Sequence, residues 1–221
     1  MTNECAHADV LKKTADHVRQ LLATDSSGHD WWHIQRVWNN ALHLAEREGA
    51  DLFVVQLAAL LHDIADWKFH QGDETLGPQR AAAWLSGLGV DAATIDHVCD
   101  IIRRLSFKGA GVATPMSTLE GQVVQDADRL DAIGAIGIAR AFAYGGHASR
   151  AMHDPDVPAE QHASFAAYKK NSGPTINHFY EKLLLLKDRM NTPTGRQLAE
   201  ARHRFMEQFL DRFYSEWNGT S

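Results

Sequence analysis

One segment of this chain is apolar almost all round, and it constrains the fold more than any other feature. From Asp51 to Ala65 the sequence reads DLFVVQLAALLHDIA, with Gln56 as the single polar residue between Asp51 and His62. A helix at a protein surface keeps a polar face, so a helix with this pattern belongs at the centre of a bundle. Elsewhere apolar residues recur every three or four positions, and the alternation typical of strands is nearly absent. We therefore predict an all-α fold.

Turn and cap signals divide the chain into about nine or ten helices. Asp30 is the expected N-cap of one helix, and Gly49 is the residue expected to end it. The predicted helices cover about 8–23, 31–48, 51–65, 78–85, 91–105, 119–130, 132–144, 174–190 and 194–217. The polar, proline-containing stretch 147–161 is predicted to be a mobile loop or lid.

The chain length favours a single domain spanning residues 1–221. With 221 residues and 44% hydrophobic side chains, the sequence can build one sizeable core. Neither an internal repeat nor a linker interrupts it. The last two predicted helices, at about 174–217, are expected to brace the bundle.

Charge and cysteine content exclude several classes of protein. A formal net charge of -6 argues against a partner such as a nucleic-acid polymer or an anionic membrane, because both attract basic surfaces. Cys5 and Cys99 are too few for a disulfide framework or a thiolate zinc site, which fits a reducing compartment. No export signal or membrane-spanning run is recognisable. We therefore expect a cytoplasmic protein.

The adjacent residues His62 and Asp63 end the apolar segment and indicate a metal site. A buried carboxylate without a partner is costly, and a metal ion would supply that partner. Neighbouring helical residues point about 100° apart, so both can bind one ion only beside the helix end. Other helices must complete the set of ligands. His33 can do so, because a hairpin joins its helix to this one.

A further carboxylate ligand is expected in the string QDADRLDA, which contains Asp126, Asp128 and Asp131. Asp128 shares a helical face with Val124 and neighbouring apolar positions, whereas Asp131 can cap the next helix. We therefore choose Asp128. The resulting donors, two imidazoles and two carboxylates, suit a divalent ion with open coordination positions better than a closed structural zinc site.

In order and type, His33, His62, Asp63 and Asp128 resemble the H…HD…D signature of the HD superfamily of metal-dependent phosphohydrolases. Further strings resemble a bacterial YpgQ/YedJ-type subgroup: GHDWWHIQRVW, ALLHDIADWKFH, GDETLGP, RLSFKG, QDADRLDAIGAIGIARAF and NHFYEKLLLLKDRMNT. The resemblance implies a single-domain HD-type helical bundle whose signature core lies at about 26–131. It also implies a nucleotide pyrophosphohydrolase that converts (deoxy)nucleoside triphosphates to monophosphates and pyrophosphate. Mn²⁺ is the first choice of cofactor, with Mg²⁺, Fe²⁺, Co²⁺ and Ni²⁺ as alternatives.

Metal-assisted phosphoryl hydrolysis also needs a proton acceptor and cations near the phosphates. Asp66 lies one helical turn after Asp63 and is a candidate catalytic base; the alternative is a solvated or capping acid. Candidate substrate-binding residues, each of which could equally be an ordinary surface cation, are Lys108 in the loop SFKGAG, Arg103, Arg104, Lys182 and Lys187.

Supporting roles fall to residues near the proposed ligands. His29 is expected to hydrogen-bond a metal ligand or the substrate, and Asp126 to support a metal ligand, with helix capping as the alternative for both. Four tryptophans lie close in sequence and are candidates for stacking on a base or for core packing: Trp31, Trp32, Trp38 and Trp67.

The expected partner is a small phosphorylated substrate such as a nucleotide, and no feature of the sequence selects an oligomeric state. Two other functions use the same features. One is a phosphomonoesterase or phosphodiesterase acting on another nucleotide, because the same metal and water serve all three reactions. The other is a non-catalytic, metal-bound signalling domain.

Overall fold

The computed structural model describes residues 3–23, 30–65, 75–105, 112–160 and 173–220. Within these ranges the chain forms nine α-helices and two short 3₁₀ turns but no strand, which confirms the all-α prediction. The helices are α1 (Asn3–Leu21), α2 (Trp31–Glu48), α3 (Leu52–Leu61), α4 (Leu76–Gly87), α5 (Ala92–Arg104), α6 (Leu119–Asp131), α7 (Gly134–His147), α8 (Thr175–Glu181) and α9 (Pro193–Trp217). None of these helices has the length and hydropathy needed to cross a bilayer.

The chain divides into two compact units. The first comprises Met1–Phe107 and Thr114–Ala127, and the second comprises Lys108–Ala113 and Asp128–Ser221. Helix α6 begins in the first unit, and its last four residues belong to the second. A single domain over residues 1–221 stays a prediction.

Helix α3 forms the centre of the first unit, where it packs against α1, α2 and α5. Its buried residues lie on every side of the helix, as the apolar segment predicts: Val54, Val55, Leu57, Ala58, Ala59, Leu60 and Leu61. The Asp51 side chain accepts hydrogen bonds from the backbone N–H groups of Phe53 and Val54 and so caps the N-terminus. The helix ends at Leu61, earlier than expected, and His62 and Asp63 therefore lie in a turn.

Helix α2 has both of the caps expected from its sequence. Asp30 Oδ1 accepts a hydrogen bond of 2.9 Å from the backbone N–H of His33. At the other end Gly49 has φ +76°, a left-handed conformation in which a side chain would be strained. These caps set where α2 begins and ends, and they place His33 in its first turn.

In the second unit, helix α7 continues beyond the range 132–144 predicted from the sequence and includes the next two residues, Gly145 and Gly146. The prediction of an end at Tyr144 is wrong, because α7 continues through Gly145 and Gly146 to His147. A Cβ at position 145 would lie 2.1 Å from Thr175 Oγ1, at the start of α8. Gly145 is therefore needed for the close approach of two helices and does not end α7.

The predicted helix over 174–190 is also wrong. Helix α8 ends at Glu181, and Lys182 follows with φ −142° and ψ −59°. Two 3₁₀ turns then cover Leu183–Leu185 and Lys187–Arg189. Positions three apart eclipse in a 3₁₀ helix, and Leu183 and Leu186 are both buried. The four consecutive leucines 183–186 can bury an apolar side chain at every third position of a 3₁₀ helix as well as on one face of an α-helix. Their pattern therefore does not distinguish the two helix types.

The described part of the stretch 147–161 has no helix beyond His147 and is held against α8. The backbone N–H groups of Thr175 and Ile176 donate to the carbonyls of Ala151 and Met152. Asn177 Nδ2 donates to Val157 O at 2.8 Å. Its role as a mobile loop or lid stays a prediction.

Candidate metal centre

The imidazole of His62 is oriented by the helix that precedes it. His62 follows the last residue of α3 and is 7% exposed, and its Nδ1 lies 2.8 Å from Ala59 O. A carbonyl oxygen can only accept, so Nδ1 carries the hydrogen and donates it. This bond leaves the lone pair on Nε2, the state in which a neutral imidazole binds a metal.

His33 faces His62 from the first turn of α2. Its side chain is 1% exposed, and its Nε2 lies 3.2 Å from the Nε2 of His62. The Asp30 cap fixes the backbone from which the His33 ring projects. Two ring nitrogens, one from α2 and one from the turn after α3, therefore lie close together in the interior of the first unit.

Asp63 adds an oxygen to this pair of nitrogens. Its Oδ2 lies 3.4 Å from His33 Nε2 and 3.5 Å from His62 Nε2. Donors bound to one ion at roughly 2.1 Å are separated by about 3.0 Å along an octahedral edge and about 3.4 Å along a tetrahedral edge. The three donor atoms therefore have the spacing that a single divalent ion requires.

Asp128 reaches the same two histidines from α6, where it is the residue after Ala127. Ligand atoms of His33, His62 and Asp128 all lie within 4.8 Å of one another, and Asp128 is half-buried. The same two histidines thus belong to both groupings, one with Asp63 and one with Asp128. The donors are imidazole and carboxylate, as expected for Mn²⁺, Fe²⁺ and similar ions.

The neighbouring acids of the string QDADRLDA lie outside this group. Asp126 is fully buried. Asp131 accepts a hydrogen bond of 2.7 Å from Arg140 Nη1, and the N-terminus of α7 has no side-chain cap. The expectation that Asp131 caps the next helix is therefore wrong, because its carboxylate forms an ion pair instead.

The predicted phosphate-binding cations that the structure describes form ion pairs at the surface or lie at a helix end. Arg103 and Arg104 both pair with Asp100, at 3.2 Å and 2.9 Å. Lys187 lies 3.8 Å from Glu200, and Lys182 follows α8 as its C-terminal cap residue. Exposed pairs of this kind hold a side chain only weakly, so contact with substrate stays a prediction for all four.

Several other predicted site residues lie outside the described residues, namely Asp66, Lys108, His29 and Trp67. Of the other tryptophans, Trp38 donates from Nε1 to Gln56 Oε1 at 3.2 Å, and the Arg19 guanidinium lies 5.9 Å from the Trp31 ring. Trp32 is 58% exposed. Trp38 is thus bound within the fold, whereas Trp32 is open to solvent beside His33.

The carbonyl of Ala59 is one part of the site that residue types could not reveal. Any amino acid at position 59 would present the same backbone oxygen to His62. The one available signal is its position, three residues before a histidine at the end of a helix.

Comparison with known proteins decides the family. The sequence pattern of the HD domain matches residues 31–133, a range that includes His33, His62, Asp63 and Asp128. Over 194 residues the chain is 43% identical to YpgQ of Bacillus subtilis, and the match covers 87% of this chain and 86% of YpgQ. The chain belongs to the HD superfamily. It is therefore a metal-dependent phosphohydrolase.

Solved structures of HD proteins share its fold. An HD-superfamily hydrolase from Bacillus thuringiensis superposes with a TM-score of 0.75 at 45% identity, covering 96% of this chain and 98% of that one. The crystal structure of Bacillus subtilis YpgQ in complex with ADP superposes with a TM-score of 0.76 at 36% identity, covering 96% of each chain. HD domains bind divalent metal ions, and the donors found here fit such an ion.

Proposed function

We propose that this HD protein is a nucleotide pyrophosphohydrolase that converts (deoxy)nucleoside triphosphates to monophosphates and pyrophosphate. The observation that carries the proposal is the ADP bound in the crystal structure of Bacillus subtilis YpgQ, which is similar to this chain over 96% of its length. A nucleotide of the same general size and charge is therefore the substrate class. Nucleotides occur in the cytoplasm, which we propose as the location.

The metal ligands in this proposal are His33, His62, Asp63 and Asp128, with Mn²⁺ as the preferred ion. When bound, such an ion polarises a phosphoryl oxygen and makes a water molecule more acidic. The two carboxylates balance the charge of a divalent ion. The bond from His62 Nδ1 to Ala59 O fixes the orientation of the ring, whose Nε2 would then hold the ion.

The remaining roles concern the proton and the phosphates. We propose Asp66 as the acceptor of the proton from the attacking water, since it follows Asp63 by three residues in the sequence. Lys108 is proposed to bind the phosphate oxygens, and Arg103, Arg104, Lys182 and Lys187 are candidates for the same role. His29 and Asp126 are proposed to support the ligands.

The deciding experiment identifies the bond that breaks. Protein loaded with Mn²⁺ is incubated with a panel of ribonucleoside and deoxyribonucleoside triphosphates in ¹⁸O-labelled water, and the products are separated by ion exchange and weighed by mass spectrometry. We expect equal amounts of monophosphate and pyrophosphate. A β,γ-methylene analogue should still be cleaved, whereas an α,β-methylene analogue should resist cleavage.

Other outcomes would contradict the proposal in distinct ways. Release of orthophosphate alone from a triphosphate would contradict it, because the terminal bond would then be the one that breaks; release of orthophosphate from monophosphates would favour the phosphomonoesterase alternative. Cleavage of a diester but of no triphosphate would favour a phosphodiesterase. A His62→Ala protein purified in the same way is the control for contaminating hydrolases.

A further inference from the structure

Two arginines bind the C-terminal turn of α6, the turn that carries Asp128. Arg202, on α9, donates from Nη1 to the backbone carbonyl of Leu130. Arg140, on α7, donates from Nη1 to the carboxylate of Asp131 at 2.7 Å and to the backbone carbonyl of the same residue at 3.4 Å. All five residues belong to the second unit. Side chains from two later helices therefore hold the end of α6.

This turn gains stability from a cation that donates to one of its carbonyls. The last carbonyls of an α-helix have no donor within the helix, and the negative end of the helix dipole lies among them. The backbone N–H of Ile133 donates to Leu130 O at 3.3 Å, and Arg202 adds a charged donor to the same oxygen. Leu130 is fully buried, so water has little access to this carbonyl if the guanidinium is removed.

The path of the Arg202 side chain depends on a glycine. Gly134 begins α7 with φ +75°, and a Cβ at this position would lie 3.0 Å from the Cβ and Cγ atoms of Arg202. The aliphatic part of Arg202 therefore lies where the side chain of another residue would crowd it. Burial lowers the pKa of Arg202 from its ordinary value, and the charge of Asp131 acts in the opposite direction. An arginine nevertheless stays protonated at neutral pH, so a positive charge lies at this helix end.

We propose that Arg202 is a positioning residue that holds the last turn of α6 and so keeps the carboxylate of Asp128 in place for the metal ion. The inference rests on the proposed function, in which Asp128 is a metal ligand. Asp128 lies two residues before Leu130, within the turn at which a helix frays most readily. A simpler role for Arg202 would be to stabilise the second unit, with no particular effect on Asp128.

The test compares Arg202→Met with Arg212→Met in a titration with Mn²⁺. Methionine keeps an unbranched stem but removes the charge and every donor. Arg212 lies farther along α9 and pairs with Glu216 at the surface at 2.6 Å, so its replacement controls for the loss of an arginine from this helix. We expect the Kd for Mn²⁺ to rise on the order of tenfold in Arg202→Met and to stay within about twofold of the wild type in Arg212→Met. Circular dichroism at the temperature of the titration shows that each variant is folded.

Arg202→Lys keeps the inference testable if Arg202→Met does not fold. Lysine retains an aliphatic stem and a positive charge, but its ammonium lacks the planar fork of a guanidinium. The Kd for Mn²⁺ should therefore rise by a smaller factor, about threefold. Wild-type affinity in Arg202→Met would overturn the proposal, and wild-type affinity in Arg202→Lys would do so if Arg202→Met does not fold.

A double-mutant cycle with Asp128→Asn shows whether Arg202 acts through Asp128. If it does, Arg202→Met should weaken Mn²⁺ binding strongly in the wild-type background and only slightly in the Asp128→Asn background. An equal loss of affinity in both backgrounds would overturn the proposal, because Arg202 would then act on the fold in general. Wild-type affinity in Asp128→Asn would contradict the ligand assignment itself and overturn both proposals.

Hydrogen–deuterium exchange of the metal-free protein gives a readout that needs neither ion nor substrate. We expect the amides of residues 128–133 to exchange faster in Arg202→Met than in the wild type or in Arg212→Met, while those of α3 keep their rates. Equal rates for residues 128–133 in all three proteins would overturn the proposal. These measurements use no nucleotide, so failure of the nucleotide panel alone would count against the proposed function only.

Discussion

The Nε2 atoms of His33 and His62 lie 3.2 Å apart, although the two residues are 29 positions apart in the sequence. Helix α2 supplies one ring and the end of α3 supplies the other, and these two helices pack against each other in the first unit. Asp63 Oδ2 lies within 3.5 Å of both nitrogens. This triangle of donors is the feature from which the predictions on metal binding follow.

Replacement of either histidine by alanine should abolish metal binding together with hydrolysis. Loss of a direct ligand should weaken metal binding by more than the roughly 10- to 100-fold expected for an outer-shell partner. Isothermal titration with Mn²⁺ and elemental analysis of the purified proteins measure this loss. His97→Ala is the matched control, because His97 is bonded to Thr118 Oγ1 in the same unit. Full metal content in both His33→Ala and His62→Ala would contradict the assignment.

Asp63→Asn should keep the size of the side chain but weaken binding of a divalent ion, because an amide oxygen carries no net charge. We expect lower Mn²⁺ affinity in a titration and an unchanged helical circular dichroism spectrum. Asp91→Asn serves as the control for an acid-to-amide change. Asp91 caps α5 through Thr94 N at 3.0 Å, a role that asparagine fills about as well. Equal Mn²⁺ affinity in the wild type and Asp63→Asn would exclude Asp63 as a ligand.

Gly145→Ala should destabilise the protein, while Gly146→Ala should not. A Cβ at position 145 would meet the stiff, β-branched side chain of Thr175 at 2.1 Å, whereas a Cβ at position 146 would meet nothing within 4 Å. Overpacking of this kind costs about 1 to 3 kcal/mol of unfolding free energy. At position 146, inside a helix, alanine should raise the free energy of unfolding by up to about 1 kcal/mol relative to glycine. Urea unfolding of both variants measures the difference, and equal effects would contradict the close helix approach.

The pH dependence of stability should include a contribution from His17. Its ring stacks on Trp84 at 3.7 Å, and partial burial lowers the pKa of His17 from its ordinary value of 6.5. As pH falls, the unfolded chain takes up this proton first, near pH 6.5, so unfolding becomes easier below that pH. At still lower pH His17 is protonated in the folded state as well, and its contribution to the free energy of unfolding then stops changing with pH.

His17→Gln should remove this contribution. The free energy of unfolding of the wild type minus that of His17→Gln should decrease as the pH falls below 6.5. Urea titrations of both proteins at a series of pH values measure this difference in the free energy of unfolding. A difference that is independent of pH would show that His17 titrates alike in the folded and unfolded states.

Much of the secondary structure could be predicted because its signals are local. Asp30 and Gly49 bound α2 through contacts within a few residues, and the all-round apolar character of α3 required burial wherever it packed. The end of α7 near Gly145, in contrast, could not be predicted from local signals. A glycine ends a helix when its own backbone turns left-handed, but it continues one when a partner helix needs the space, and that partner begins at Thr175.

The HD signature itself could be found from residue order and type. Metal-binding chemistry restricts the choice to imidazole and carboxylate, and a charge at the end of an apolar helix needs a partner. The sequence alone therefore determined the all-α class, the family resemblance and the candidate ligands. It also singled out Asp128 among three neighbouring aspartates; Asp128 lies in one group with His33 and His62, and its role as a ligand stays a prediction.

Only the tertiary structure decided the orientation of His62 and the surroundings of Gln125. The His62 ring is set by the carbonyl of Ala59, and the Gln125 amide binds the carbonyls of Leu105 and Thr114. Every residue type presents the same backbone oxygen, so no side chain in the sequence signals these partners. The Ala59 carbonyl meets His62 because the backbone leaves α3 at that point, and the carbonyls of Leu105 and Thr114 meet Gln125 because separate segments pack together. Both are properties of the folded backbone.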